Sequence, residues 1–132
     1  MISRTARYAL HVLAILAARP ADRLRGEEIA SATGIPFNYL SKILNQLRKA
    51  GLVESRKGWG GGFQLQAEAG QRPIRDVLVV FDGLESADRR DCALGRAACD
   101  HEHPCAMHDD WAGVRDGFTR MITATKVADL AR

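Results

Sequence analysis

The stretch Lys57-Gly58-Trp59-Gly60-Gly61-Gly62 constrains this chain more than any other. Four glycines in five positions do not belong inside a helix, where each costs about 1 kcal/mol relative to alanine. On either side, Leu52-Val53-Glu54-Ser55-Arg56 and Phe63-Gln64-Leu65-Gln66 read as two short strands. The segment is therefore a hairpin with a flexible, basic tip. Upstream, Glu27 to Thr33 reads as a short helix with Ile29 and Ala30 inward, stopped by Gly34. Pro36 takes the favoured first position of the next helix. That helix runs through Tyr39, Leu40, Ile43, Leu44 and Leu47 until Gly51 stops it. Two helices around a glycine turn, followed by a glycine-tipped hairpin, make a winged helix-turn-helix.

The exposed positions of the second of these helices are Asn38, Tyr39, Ser41, Lys42, Asn45, Gln46 and Lys49, and none is acidic. Asn and Gln match adenine edges, and Lys reaches guanine or phosphate. Charge supports a polyanionic partner for this half. Residues 1–66 hold ten Lys/Arg against four Asp/Glu, a balance of +6, whereas residues 67–132 hold nine against twelve, a balance of −3. The candidate contacts to double-stranded promoter DNA are Arg4 on the first helix, Asn38, Tyr39, Ser41 and Lys42 on the second reader helix, and Arg56, Lys57, Gly58, Trp59 and Gly60 on the wing. Glycines let backbone approach phosphate, and Arg56 or Lys57 suits a minor groove.

Ser3 caps a helix expected over Arg4 to Ala18, with Leu10, Leu13, Ala14 and Ala17 facing the core. Its basic start and apolar run imitate a secretory signal. His11 interrupts the run, however, and Arg19-Pro20 occupies the place of a cleavage site. The run is too short to span a membrane, so a cytoplasmic protein is expected. Pro73 to Phe81 reads as a further helix with Ile74, Val77, Leu78 and Phe81 inward. Residues 84–104 read as a loop, and a long helix starts near Pro104 or Cys105 and reaches about Lys126. Trp111, Val114, Phe118, Met121 and Thr125 alternate three and four apart, a heptad seam suited to a homodimer. The expected fold is mainly α with a small β-hairpin wing. It comprises a DNA-binding domain over residues 1–83, a Cys/His loop over 84–104 and a dimerisation helix with its tail over 105–132.

All three cysteines fall in one short stretch: Cys92, Cys99 and Cys105, with His108 just beyond. Cysteines of the core sit among apolar neighbours, but these are surrounded by Asp91, Arg96, Asp100, His101 and Glu102. An odd number of cysteines points away from structural disulfides and toward metal or redox use. Three thiolates and an imidazole suit an iron–sulfur cluster or zinc, and a thiol switch is a third choice. The spacing lacks the paired CxxC of a zinc ribbon. For the fourth ligand, His108 lies three residues after Cys105 and would share its helix face. His101 and His103 flank Pro104 and read equally well as solvated, and His11 is a weaker candidate from a partner subunit. A metal-handling protein with the helix-turn-helix as mere scaffold is the rival reading. An enzyme is disfavoured, because the chain has no phosphate-binding loop, nucleophile elbow or HExxH.

Arg7-Tyr8-Ala9, Gly34-Ile35, Leu47-Arg48-Lys49-Ala50-Gly51-Leu52-Val53, the wing from Gly58 to Gly62, and the three cysteines closed by Cys105-Ala106-Met107-His108 together resemble the Rrf2 family of bacterial transcription regulators. The resemblance covers almost the whole chain. It implies a dimeric winged helix that is not an enzyme, with a cluster near the dimer helix and DNA contacts from reader helix and wing, Lys57 standing for a minor-groove arginine. The ligand pattern is most similar to members that regulate iron–sulfur assembly, which implies a 2Fe–2S cluster on Cys92, Cys99, Cys105 and His108. A 4Fe–4S cluster and zinc stay open as alternatives. Tyr8 stands where nitric-oxide-sensing members place a carboxylate ligand. Two departures bear on this chain: the first cysteine gap is one residue longer, and Ser41 replaces a site-discriminating glutamate, so its operator need not match theirs.

Overall fold

Ser3 begins the structured chain by accepting a hydrogen bond from the Ala6 amide on its side-chain oxygen, 3.1 Å away, and it is itself held by the Asp82 carboxylate. In this computed structural model, which describes residues 1–87, 91–95 and 101–132, helix α1 then spans Arg4–Ala18. Helices α2 (Gly26–Thr33) and α3 (Phe37–Lys49) follow, then an antiparallel hairpin of β1 (Val53–Arg56) and β2 (Gly62–Leu65). In the hairpin Val53 pairs with Leu65 and Arg56 with Gly62. Helix α4 (Ile74–Asp82), one helical turn α5 (Leu84–Ala87) and the long α6 (His108–Ala124) complete the order, before a last 3-10 turn at Val127–Ala131. The fold is a winged helix-turn-helix with a long C-terminal helix. Among the described residues no helix is long and apolar enough to cross a membrane.

Two apolar clusters hold it. The larger joins Val12, Leu13 and Leu16 of α1 to Ile29, to Leu40, Ile43, Leu44 and Leu47 of α3, and to Leu52 and Val53 of the wing. The smaller joins Ala6, Ile74, Leu78, Ala87, Phe118 and Ile122, so it ties α6 to α1 and α4. The wing is docked as well as paired. Leu24 and Phe63 exchange backbone hydrogen bonds of 2.9 and 2.7 Å.

Several expectations shift. On α1 the buried residues are Ala6, Ala9, Val12, Leu13 and Leu16, while Leu10, Ala14 and Ala17 are half-buried. Apolar residues nearly encircle this helix, and α3 and the C-terminal turn select the other side of it. Pro36 is the N-cap of α3, not its first residue. Leu84–Ala87 is helical where a loop was expected. The last helix starts at His108, so Cys105 precedes it. Asp109 and Asp110 explain that start, because acidic side chains suit the positive end of the helix dipole. The heptad stripe is divided. Phe118 packs into the chain's own core, whereas Val114 and Met121 are exposed.

Candidate DNA-binding face and cysteine–histidine loop

The reader helix is aimed by a short turn. Gly34 takes φ +73° and donates to the Ala30 carbonyl at 2.8 Å, closing α2. Ile35, 3% exposed, then plugs into the core. With Leu40, Ile43, Leu44 and Leu47 buried, the opposite side of α3 is left to solvent. All seven polar positions expected there, from Asn38 to Lys49, are exposed. Tyr39 is steadied by Tyr8 of α1, edge to face, with ring centroids 6.4 Å apart. The Asn45 side-chain oxygen accepts from Arg48 Nη2 at 2.8 Å, which restrains that amide. Arg4 is exposed at the start of α1. Arg56, Lys57, Gly58, Trp59 and Gly60 are all exposed on the wing.

The wing tip is more ordered than its glycines suggest. The Gly61 amide donates to the Gly58 carbonyl at 3.0 Å, and Gly60 sits at φ +72°. This is a β-turn whose third position needs positive φ. Among the described residues the salt bridges are Arg19–Asp22 and Arg72–Asp76, so Arg4, Lys42, Arg56 and Lys57 keep their charge for another partner.

Two features escaped the sequence. Phe37, 57% exposed, opens α3 and lines a crevice of about 240 Å³ between α3 and the wing, with Ser41, Asn45, Arg48, Ser55 and Phe63. Only its place directly after Pro36 hints at this. A second, shallower groove of about 510 Å³ runs along α1 between Arg7, Leu10, His11, Ala14, Thr33 and Leu130. It arises because Leu10 and Ala14 lie off the buried face.

In the cysteine–histidine loop, Cys92 is 7% exposed and its Sγ accepts the Leu94 amide at 3.4 Å. Its neighbour Asp91 accepts a hydrogen bond on its carbonyl from Trp111 Nε1, 2.8 Å away. That bond fastens the Cys92 segment to the first turns of α6. His108 opens α6 and is 4% exposed, and its backbone amide donates to the Cys105 carbonyl at 3.1 Å. His108 Nε2 and His101 Nδ1 share a hydrogen bond of 2.9 Å. His103 is exposed. Cys99 lies outside the described residues. Among the described residues no three His, Cys, Asp or Glu side chains stand close enough together to grip one metal ion. The donor types still suit such a group chemically: Cys105 and the buried His108 imidazole stand at the start of α6, the segment of Cys92 is tied to the same helix through Trp111, and the Cys92 sulfur already receives an N–H.

A reader helix, a docked wing and a separate cysteine–histidine loop define a winged-helix regulator. Residues 2–132 match the Rrf2 family, described as "Iron-dependent Transcriptional regulator", and the chain belongs to that family. A protein of Aquifex aeolicus, named as an HTH-type transcriptional regulator, is 33% identical over 132 residues, covering 98% of this chain and 90% of that one. The transcriptional regulator IscR of Vibrio atlanticus is 33% identical over 105 residues, which is 80% of this chain but 59% of IscR. This chain thus spans less than two thirds of the length of that relative. Among solved structures, CymR, the global cysteine regulator of B. subtilis, superimposes with a TM-score of 0.80 at 26% identity, over 99% of this chain and 95% of CymR. These relatives are transcription regulators, not enzymes.

Proposed function

We propose that this protein is a cytoplasmic, homodimeric transcription regulator whose grip on promoter DNA is set by an iron–sulfur cluster, of the 2Fe–2S type, held by Cys92, Cys99, Cys105 and His108. The observation that carries the reading is that Cys105 and buried His108 stand at the start of α6 while the Trp111–Asp91 bond ties the segment of Cys92 to the same helix. The partner of His108 adds support. Ligating imidazoles commonly have their second nitrogen fixed by a neighbour, and His101 supplies one. When bound, the cluster supplies a group whose charge and presence follow iron, oxidant or nitric-oxide status. Dimerisation through α6 fits Val114 and Met121, which are exposed seven residues apart on one face. Two copies would present two reader helices to paired half-sites.

The chain itself offers a route from sensor to reader. The far end of α6 is stitched to the segment before α4: the Ile74 amide donates to the Thr125 carbonyl and the Val127 amide to the Arg72 carbonyl, both at 2.9 Å. Arg72 then donates through Nη1 to the Ala50 carbonyl, the C-cap of α3, at 2.9 Å, and through Nε to Asp76 at 2.9 Å. A contiguous set of hydrogen bonds therefore joins the cluster helix to the reader helix. Arg72→Met should lower stability by about 1–2 kcal/mol, since it removes charge-assisted bonds at a third-exposed site. It should also shrink the difference in DNA affinity between cluster-loaded and cluster-free protein. Equal differences in wild type and variant, measured by fluorescence anisotropy, would show that Arg72 carries no coupling.

The deciding experiment is an absorption spectrum with iron, sulfide and zinc analysis of protein purified without oxygen, followed by a salt titration of duplex binding. Visible bands with iron and sulfide are expected. Affinity should fall linearly on a log–log plot, with a slope of about −0.9 per phosphate neutralised. Colourless protein with stoichiometric zinc would replace the cluster by a zinc site. Absence of salt-dependent binding would return the helix-turn-helix to a scaffold.

A further inference from the structure

The side chain of Trp59 is fully exposed, at 102% of its reference area, on the tip of the wing. An indole offers about 150–250 Å² of surface that is better buried than wetted. Its backbone is not loose. Trp59 occupies the second position of the Gly58–Gly61 turn, closed by the 3.0 Å hydrogen bond and by Gly60 at φ +72°. Gly61 is buried, and a Cβ there would collide with the Arg56 and Gly58 carbonyls, so the turn is tightly wound. The β1–β2 pairing and the Leu24–Phe63 bridge hold the base of the hairpin against the core. A large flat ring is thus carried outward on a short, braced arm.

We infer that Trp59 is an apolar wedge that enters the minor groove beside the site read by α3 and selects a deformable base step there. This inference rests on the DNA-binding reading above and adds to it a residue that reads sequence through DNA shape. The surroundings of the ring favour DNA over a protein partner. From Ser55 to Gln66 the chain has two cations, Arg56 and Lys57, and no acid. Next to Trp59 in sequence stand only glycines, so no apolar ring surrounds it of the kind that seals a protein hot spot. The minor groove is about 6 Å wide, which excludes a helix but admits a flat side chain. Apolar side chains inserted between base pairs unstack them, and pyrimidine–purine steps yield most readily. Arg56 and Lys57, two and one residues before the turn, would lie over the flanking phosphates or in the same groove, where negative potential attracts cations.

The test uses the full chain and a pool of random duplexes long enough for two half-sites. Wild type, Trp59→Ala, Trp59→Phe and Lys57→Ala each select their own binders. Wild type is expected to enrich a half-site with a TA or CA/TG step at a fixed distance outside it. Trp59→Ala should keep the half-site, lose the step, and bind roughly 5- to 150-fold more weakly, the range for losing one aromatic–base stack. Its salt slope should match wild type, because the indole neutralises no phosphate, whereas Lys57→Ala should lower the slope by about 1. Trp59→Phe should recover part of the step preference. With 2-aminopurine placed at the step, binding of wild type should brighten the base by unstacking it, and Trp59→Ala should not. The same flanking preference and the same brightening in wild type and Trp59→Ala would overturn the wedge while leaving DNA binding intact. Failure of every variant, wild type included, to select any half-site or to show salt-dependent binding would overturn the DNA-binding reading and the wedge together. Trp59 is too exposed for its substitution to compromise folding, so loss of affinity is read directly.

Discussion

Gly62→Ala is expected to undock the wing and abolish measurable DNA affinity while the helices survive. Gly62 sits at φ +136°, a region that L-residues avoid, and a Cβ there would stand 2.6 Å from the Leu24 carbonyl oxygen and 2.8 Å from its carbon. Those atoms are backbone and cannot swing aside. They also belong to the pair that fixes the wing, because the Leu24 carbonyl accepts the Phe63 amide at 2.7 Å. The methyl group therefore forces a choice between strain of about 1–3 kcal/mol and loss of two backbone hydrogen bonds worth about 1 kcal/mol each. Either outcome is a large share of a native stability of roughly 5–15 kcal/mol. Gly60→Ala is the control. Its φ of +72° imposes about 1–2 kcal/mol, but no atom lies within 4 Å of the added methyl, so the wing should stay docked. Chemical denaturation followed by circular dichroism, with a gel-shift assay on the same samples, separates the two. Equal stability and equal DNA binding in the two variants would show that the Leu24–Phe63 contact does not hold the wing.

The wing illustrates what could be read in advance. Its existence is legible, and its strand limits to within one residue (Val53–Arg56 and Gly62–Leu65 against 52–56 and 63–66), because glycine density, alternation and the preceding basic helix agree. The order of its tip is not, because the Gly58–Gly61 hydrogen bond depends on which glycine takes positive φ. The reader helix is the most legible element, since only one side of α3 is apolar. The first helix shows the reverse case: Arg4–Ala18 is fully readable, yet its buried side is not, because apolar residues surround it and packing alone decides. The three-four stripe on α6 has the same defect. Spacing shows that Phe118, Val114 and Met121 form a stripe, but not that Phe118 meets Ile74 and Leu78 of its own chain while the other two stay outside. At the loop, cysteine and histidine spacing nominates a donor set, of which Cys92, Cys105 and His108 lie among the described residues. The Trp111–Asp91 bond that draws Cys92 to α6 joins residues twenty apart and has no local signature.

That bond also shapes the second large effect. Cys92→Ala should remove visible absorbance and bound iron and leave the DNA-binding domain folded. The thiol is 7% exposed, but it belongs to neither apolar cluster, so the winged helix does not depend on it for packing. Truncation of one buried sulfur leaves a small void and costs about 1 kcal/mol, well below the 2–5 kcal/mol of a buried leucine cut to alanine. Loss of one of the four proposed ligands would act on a different scale, because the remaining donors would have to order the loop without it. His108→Ala would be less clean: it removes a 4%-exposed ring at the first residue of α6 together with its bond to His101, so some destabilisation accompanies any loss of metal. Anaerobic purification, metal analysis and thermal melts of wild type and Cys92→Ala compare the two effects directly. If Cys92→Ala keeps its iron and colour, Cys92 is not a ligand. If it loses colour and unfolds along its whole length, the loop is part of the core and the separation of sensor from reader fails. Loss of colour with an unchanged melt of the winged helix would leave a cluster-free dimer whose DNA affinity, set against that of the loaded protein, gives the free energy that the cluster contributes to promoter occupancy.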